Sequence, residues 1–245
     1  KGGKTIKIIL ETLINELGYN IVGTHIDDKG NISFERNNLL RNARDFGLPQ
    51  NRPRVYLLGV KKEFLENKSI KLEQYSLPKK RTRKNIFQDL HHLLDYGAEP
   101  KYYLSQGYLD TLEIHRKREE TRGNGFGYII VNDENIESPI SNSILATGGS
   151  GKERNLIIDP QENIPGTILG TKQTPLNDKC IRTMTPDEWA KLQGFMEYGF
   201  IKNGIDTFSF PKKISNTQRY KQMGNSVTIP LIEEIANLLL KILAD

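Results

Sequence analysis

Three short segments of this 245-residue chain combine residue types that could do chemistry. In Gln50-Asn51-Arg52-Pro53-Arg54, two arginines two residues apart enter a predicted strand behind a Pro-Gln turn. Strand alternation would place Arg52 and Arg54 on one face, where permanently charged forks could grip carbonyl or phosphate oxygens. A surface ion pair is the plainer alternative. The second segment runs Arg182-Thr183-Met184-Thr185-Pro186-Asp187-Glu188 and continues to Leu192-Gln193-Gly194-Phe195. Taken alone it is a capped helix ended by glycine. The third, Gly224-Asn225-Ser226-Val227 ahead of a predicted helix, could present backbone amides and a small hydroxyl to a ligand. An ordinary N-cap at Ser226 or Thr228 explains it equally well.

Other chemistries are excluded early. Cys180 is the single cysteine, so no internal disulfide forms, and His25, His91, His92 and His115 offer no pair at metal-ligand spacing. No apolar run approaches the ~20 residues of a membrane span, and the start lacks a signal-peptide core. A cytoplasmic protein without metal or membrane is expected. The formal charge is +5, and the basic excess gathers at residues 79–84 and 115–122. Such runs are usually a solvated face; the sharper alternative is a surface for nucleic acid.

The elements that must position these segments follow from periodicity. Residues 5–17 space Ile6, Ile9, Leu10, Leu13 and Leu17 as an amphipathic helix, with Gly18 as its cap. Residues 19–27 and 54–60 read as strands, with a loop or helical turn at 37–44. From 61 to 179 turn residues dominate, leaving a helix near 109–120 and short strands at 128–131 and 156–158. Thr185, Pro186 and Glu188 make a capping-box pattern. Residues 229–243 form a last helix with Ile232, Ile235, Leu238, Leu239 and Ile242 on one stripe.

Together and in this order, the three segments resemble the closing motifs of the cytosine-C5 DNA methyltransferases. Gln50-x-Arg52-x-Arg54 looks like that family's eighth motif. Arg182-x-x-Thr185-x-x-Glu188 with Gln193-Gly194-Phe195 looks like the ninth, and Gly224-Asn225-Ser226-Val227 like the tenth. The resemblance implies an α/β chain: the C-terminal part of a doubly wound, Rossmann-type methyltransferase sheet plus a smaller irregular target-recognition domain. Residues 1–63 and 216–245 would belong to the catalytic domain and 64–215 to recognition.

Residue by residue, the resemblance implies that Arg54 meets O2 of a flipped cytosine while a thiolate adds to C6. Arg52 would support the same pocket or a neighbouring phosphate, and Gln50 would orient both. Asn225, Ser226 and Val227 would line the S-adenosylmethionine pocket, and Arg182 and Glu188 would be structural. Thr147, Lys152 and Arg154 become candidates for base readout in double-stranded DNA, and Arg116 and Arg122 for phosphate contact. The run 122–128, Arg-Gly-Asn-Gly-Phe-Gly-Tyr, resembles recognition domains for sites beginning CC.

The family's Phe-x-Gly-x-Gly, Pro-Cys and Glu-Asn-Val segments have no counterpart in the sequence, and Cys180 lacks the Pro-Cys context. Residues 1–5 look like the stretch just after the Glu-Asn-Val segment. The expectation is therefore a C-terminal subunit or fragment whose N-terminal half holds the nucleophile. The alternative is a DNA-binding specificity module or degenerate remnant that takes no part in methyl transfer.

Overall fold

A computed structural model describes residues 3–124, 128–147 and 151–245. Lys1, Gly2, the Gly125-Phe126-Gly127 centre of the recognition run and Gly148-Gly149-Ser150 lie outside the described residues. In chain order the helices are α1 (Lys4–Glu11), α2 (Arg36–Leu39), α3 (Lys62–Lys68), α4 (Gln106–Thr121), α5 (Pro186–Leu192), α6 (Asn216–Asn225) and α7 (Ile229–Ala244). The strands are β1 (Tyr19–Ile21), β2 (Thr24–Ile26), β3 (Ile32–Phe34), β4 (Leu40–Asn42), β5 (Gln50–Asn51), β6 (Pro53–Val55) and β7 (Gly59–Lys61). They continue with β8 (Ser141–Asn142), β9 (Leu156–Ile158), β10 (Ile181–Thr183), β11 (Ile201–Lys202) and β12 (Ile205–Asp206).

The chain divides into two compact units. Unit one takes residues up to Phe46, Pro53–Arg83 and Pro230–Asp245; unit two takes Gly47–Arg52 and Lys84–Ile229. These limits differ from the expected ones at both ends. Residues 64–83 stay in unit one because Leu65, Leu72, Tyr75 and Leu77 share a core with Val22, Leu58, Val60 and Ile242. Residues 216–229, expected to return to the catalytic domain, stay in unit two because α6 packs on α5. There Trp189 and Tyr220 meet edge to face at 4.8 Å, and the Tyr220 hydroxyl donates to the Met184 carbonyl at 2.6 Å.

Within unit one, β1 pairs antiparallel with β7, β4 with β6, and β2 with β3. The expected strand over 19–27 breaks at Gly23, whose φ of +86° ends β1 and lets β2 start a separate hairpin. The expected strand over 54–60 likewise splits into β6 and β7, which serve different partners. The first helix also departs from its pattern. After Glu11 it widens into a π turn over Thr12–Glu16, with Leu17 N–H bonding the Thr12 carbonyl at 3.0 Å. That extra residue per turn rotates Leu17 off the stripe. Leu10 is fully buried, whereas Ile9 and Leu17 are exposed. On α7 the stripe holds better: Ile242 is buried, Ile235, Leu238 and Leu239 pack on the core, and Ile232 is left exposed.

Within unit two, β5 pairs in parallel with β8, and β9 pairs antiparallel with β10. Residues 128–131 contribute only a bridge from Ile130 to Leu156 rather than the expected strand. Helix α4 is longer than expected, and α5 begins with the anticipated capping box: the Glu188 amide donates to Thr185 Oγ1 at 3.1 Å, and the Thr185 amide to Glu188 Oε2 at 2.7 Å.

Candidate active-site and DNA-recognition residues

The eighth-motif segment does not continue as one strand, because β5 ends at Asn51 and β6 starts at Pro53. Alternation therefore does not carry through Arg52, and the two arginines meet different surroundings. Arg54 belongs to unit one and is exposed. Arg52 is buried in unit two, where its Nη1 donates to the Ile144 carbonyl at 2.7 Å. Its Nη2 donates to the carbonyls of Gly224 and Ser226 at 2.9 and 3.1 Å. Of the two oxygen classes anticipated, this guanidinium takes carbonyls. It staples the eighth motif, the segment after β8 and the tenth motif into one piece.

Gln50 works beside it. Fully buried, its Nε2 donates to the Leu192 carbonyl at 2.8 Å, and its Oε1 accepts the Ile144 amide at 3.4 Å. Arg41, which the sequence did not single out, sits opposite Arg54 in the β4·β6 register. Its buried fork is capped by the carbonyls of Pro78, Asn37, Leu40 and Leu77. Removal from water pushes its guanidinium below the usual arginine value. A lone Arg between Leu40 and Asn42 gives no pattern that could have announced this role.

The tenth motif is arranged differently from the expectation of amides facing a ligand. Gly224 and Asn225 close α6, so this end of the helix offers carbonyls, and Arg52 collects two of them. The Ser226 hydroxyl donates to the Met223 carbonyl at 2.7 Å, which makes it a C-terminal cap of α6 and not an N-cap. Thr228 is buried and bonds Gln193 Oε1 at 3.1 Å, while Gln193 Nε2 donates to the Met223 carbonyl at 3.1 Å. Gln193 of the ninth motif thus holds the turn of the tenth. Asn225 is exposed, Ser226 half-buried and Val227 half exposed, leaving an amide and an apolar side chain together on an open turn.

Arg182 and Glu188 form the buried ionic centre of unit two. The guanidinium takes both Glu188 oxygens, at 2.8 and 2.9 Å, and its Nε donates to Asp159 Oδ2 at 2.7 Å. Burial alone would raise the Asp159 carboxyl. Hydrogen bonds from the Gly97 amide, Arg182 and the Ala98 amide outweigh it and hold the group below the usual carboxylate range. Cys180 is buried and free, in the left-handed region at φ +50°.

The recognition candidates separate by environment. Thr147 and Arg154 are exposed, while Lys152 is half-buried with its ammonium 4.4 Å from the centre of the Tyr220 ring. Arg116 lies over the Tyr128 ring at 4.7 Å and 3.7 Å from Glu120; Arg122 bonds Glu119 at 3.1 Å. Both carry carboxylates from their own helix, so the solvated-face alternative accounts for much of the charge at 115–122. Arg83, in the other basic run, faces Glu233 at 3.4 Å. Among the described residues no cluster of His, Cys, Asp or Glu could hold a metal ion, and no helix is long and apolar enough to cross a membrane.

The sequence pattern of the family described as C-5 cytosine-specific DNA methylase matches residues 1–241. The chain belongs to the C-5 cytosine-specific DNA methylase family. Among family members, the type II methyltransferase M.HpaII of Haemophilus parainfluenzae is 36% identical over 250 residues, covering 99% of this chain and 57% of the relative. The DNA-cytosine methyltransferase of Escherichia coli K12 is 33% identical and covers 97% and 46%. In fold, the chain resembles the Entamoeba histolytica methyltransferase EhMeth, with a TM-score of 0.56 at 16% identity, covering 98% of this chain and 58% of that one. The S. pombe Dnmt2 methyltransferase gives 0.56 at 14%, with coverages of 99% and 64%. This C-5 methylase chain therefore has a methyltransferase fold and spans about half the length of the curated relatives it matches.

Proposed function

We propose that this chain is the C-terminal, recognition-bearing portion of a site-specific DNA (cytosine-5)-methyltransferase, acting on double-stranded DNA with an N-terminal half that brings the Pro-Cys nucleophile. The observation that carries this reading is the Arg52 fork. It spends its donors on Ile144, Gly224 and Ser226, so that the segments resembling the eighth and tenth motifs are built as one body. A relic freed from catalysis has no need of that joint. The antiparallel β1·β7 pair would close the edge of a Rossmann-type sheet whose parallel strands belong to the N-terminal half.

In this reading Arg54, exposed on β6, meets O2 of the flipped cytosine, and its fixed positive charge stabilises the electron density that builds there as the thiolate adds. Arg52 and Gln50 position and do not touch substrate, because their polar atoms are committed to the backbone. Asn225, Ser226 and Val227 would hold S-adenosylmethionine, whose contribution when bound is the methyl group. Their open turn, with the exposed Asn225 amide and the half-exposed Val227 side chain, offers both polar and apolar contacts to such a ligand. Thr147 and Arg154, both exposed, remain the residues for base edges.

Two measurements test the assignment. The purified 245-residue chain should transfer no labelled methyl group to DNA, and activity should appear only with the N-terminal half; incorporation by the chain alone overturns the division of labour. In the complete enzyme, Arg54→Ala should lower kcat by about 10²–10³ fold, the cost of losing one preorganised donor, while leaving S-adenosylmethionine affinity unchanged. A kcat within about threefold of wild type would remove Arg54 from the base pocket.

A further inference from the structure

Unit two contains a cleft of about 830 Å³ that shares only Lys152 with the recognition candidates above and is walled in part by Tyr102, Ser105, Tyr108, Lys152, Lys172 and Thr174. Lys152 lies against the Tyr220 ring, and Lys172 donates to the Tyr103 carbonyl. Among the described residues neither ammonium has a carboxylate within ion-pair distance, and the Gly148-Gly149-Ser150 stretch before Lys152 adds no acid. The carboxylate in the wall, Glu153, accepts the Tyr108 hydroxyl at 2.7 Å. We propose that this cleft is a backbone-anchoring site in which Lys152 and Lys172 together hold a phosphate group of the bound DNA strand.

The argument is one of uncompensated charge. A half-buried ammonium is costly unless an anion faces it, and two in one cleft repel each other. Burial holds both lysines below their ordinary values; the Glu153 carboxylate opposes this in part at Lys152, whereas for Lys172 the neighbouring Lys152 adds to the effect. The Tyr220 ring and the Tyr103 carbonyl offset only part of this cost, and an oxyanion between the two ammonium groups relieves both penalties at once. Burial and the Glu153 carboxylate push the Tyr108 phenol up to about 12, so it stays protonated and cannot compete as an anion. The cleft is lined by the Ser105 and Thr174 hydroxyls as well, which can serve the flanking oxygens of a sugar–phosphate backbone. Lys152 then anchors the backbone and reads no base. This inference rests on the reading that unit two contacts DNA.

The test is duplex binding by the full chain between about 50 and 200 mM salt. Lys152→Met and Lys172→Met should each lower the slope of log K against log salt, and the double variant, which releases the one phosphate, should take ~0.9 from it. Affinity for matched and scrambled duplexes should fall in parallel, and Lys152→Arg and Lys172→Arg should keep the slope. Wild-type binding with an unchanged slope in the double variant overturns the cleft assignment alone; a wild-type chain that binds no duplex overturns the functional reading with it. Inorganic phosphate, titrated by calorimetry, separates the two sources of the oxyanion. Weak or absent binding is expected. Tight binding that the double variant loses, with the DNA slope intact, would give the cleft to a free anion and end the proposal.

Discussion

Replacing Gly224 with alanine should lower the unfolding temperature, although in most helices that exchange raises it. Gly224 lies in the last turn of α6, where alanine is favoured over glycine by about 1 kcal/mol. Against that gain stands the space available. A Cβ at 224 would fall 2.2 Å from the Leu145 carbonyl oxygen, 2.4 Å from its carbon and 2.6 Å from the Ala146 amide nitrogen. These are backbone atoms, so no rotamer change clears them; either α6 or the 144–146 segment must move. Such movement breaks what Arg52 has joined, since its fork bonds both the Ile144 and Gly224 carbonyls. Overpacking of this kind costs about 1–3 kcal/mol and occasionally more, and a buried guanidinium stripped of acceptors adds to it. A net loss of about 2–4 kcal/mol is expected, or roughly 4–16 °C for a chain of this size. Gly170, whose added Cβ meets nothing within 4 Å, is the control: Gly170→Ala should leave the transition within about 2 °C. An unchanged or raised transition for Gly224→Ala would mean that the close approach of loop and helix is not rigid.

The same residues explain what the sequence could and could not disclose. Thr185, Pro186 and Glu188 announce a helix start because a capping box is local chemistry, complete within four residues, and it forms as expected. The last helix is legible for the same reason: its apolar spacing acts over neighbouring turns. The short strands were not legible, since β1, β6 and β7 each last three residues and are fixed by partners distant in the sequence, as Tyr19 is paired with Lys61. For the candidate site, the motifs disclosed which residues matter and misjudged what they do. Arg52 and Arg54 differ in type and spacing by nothing, yet a strand break at Arg52 buries one and exposes the other. Gly224 reads from the sequence as a ligand-facing glycine. In the fold it is the only residue type that lets Leu145 pass so closely. Arg41 and Lys172 left no local sign, because a carbonyl cage and a cleft wall are assembled from distant loops.

Arg182→Met should destabilise unit two more than any other single side-chain exchange considered, and in a pH-dependent way. Arg182 is wholly buried and neutralises Glu188 and Asp159, which are buried as well. Methionine keeps the apolar stem of the arginine and stops short of the guanidinium, so the loss is chiefly of the charge and its donors. Removing one partner from a buried ion pair costs about 3–5 kcal/mol, because the carboxylates left behind have no water to turn to. The transition should fall by roughly 6–20 °C at neutral pH. In the wild type, Asp159 is held below its unfolded value near 3.9, so the stability it contributes is complete above about pH 4 and is lost as pH falls through the lower, folded value. Without the guanidinium, burial, the largest influence on that carboxyl, pushes its folded value upward, and this contribution shrinks or changes sign. Wild type should therefore lose stability on acidification below about pH 4 more steeply than the variant, and the gap between their unfolding temperatures should narrow. Calorimetry from pH 7 down to 3 reads both curves. A gap that stays constant across that range would show that Arg182 acts by packing, and that the charge at Asp159 is balanced by the Gly97 and Ala98 amides alone.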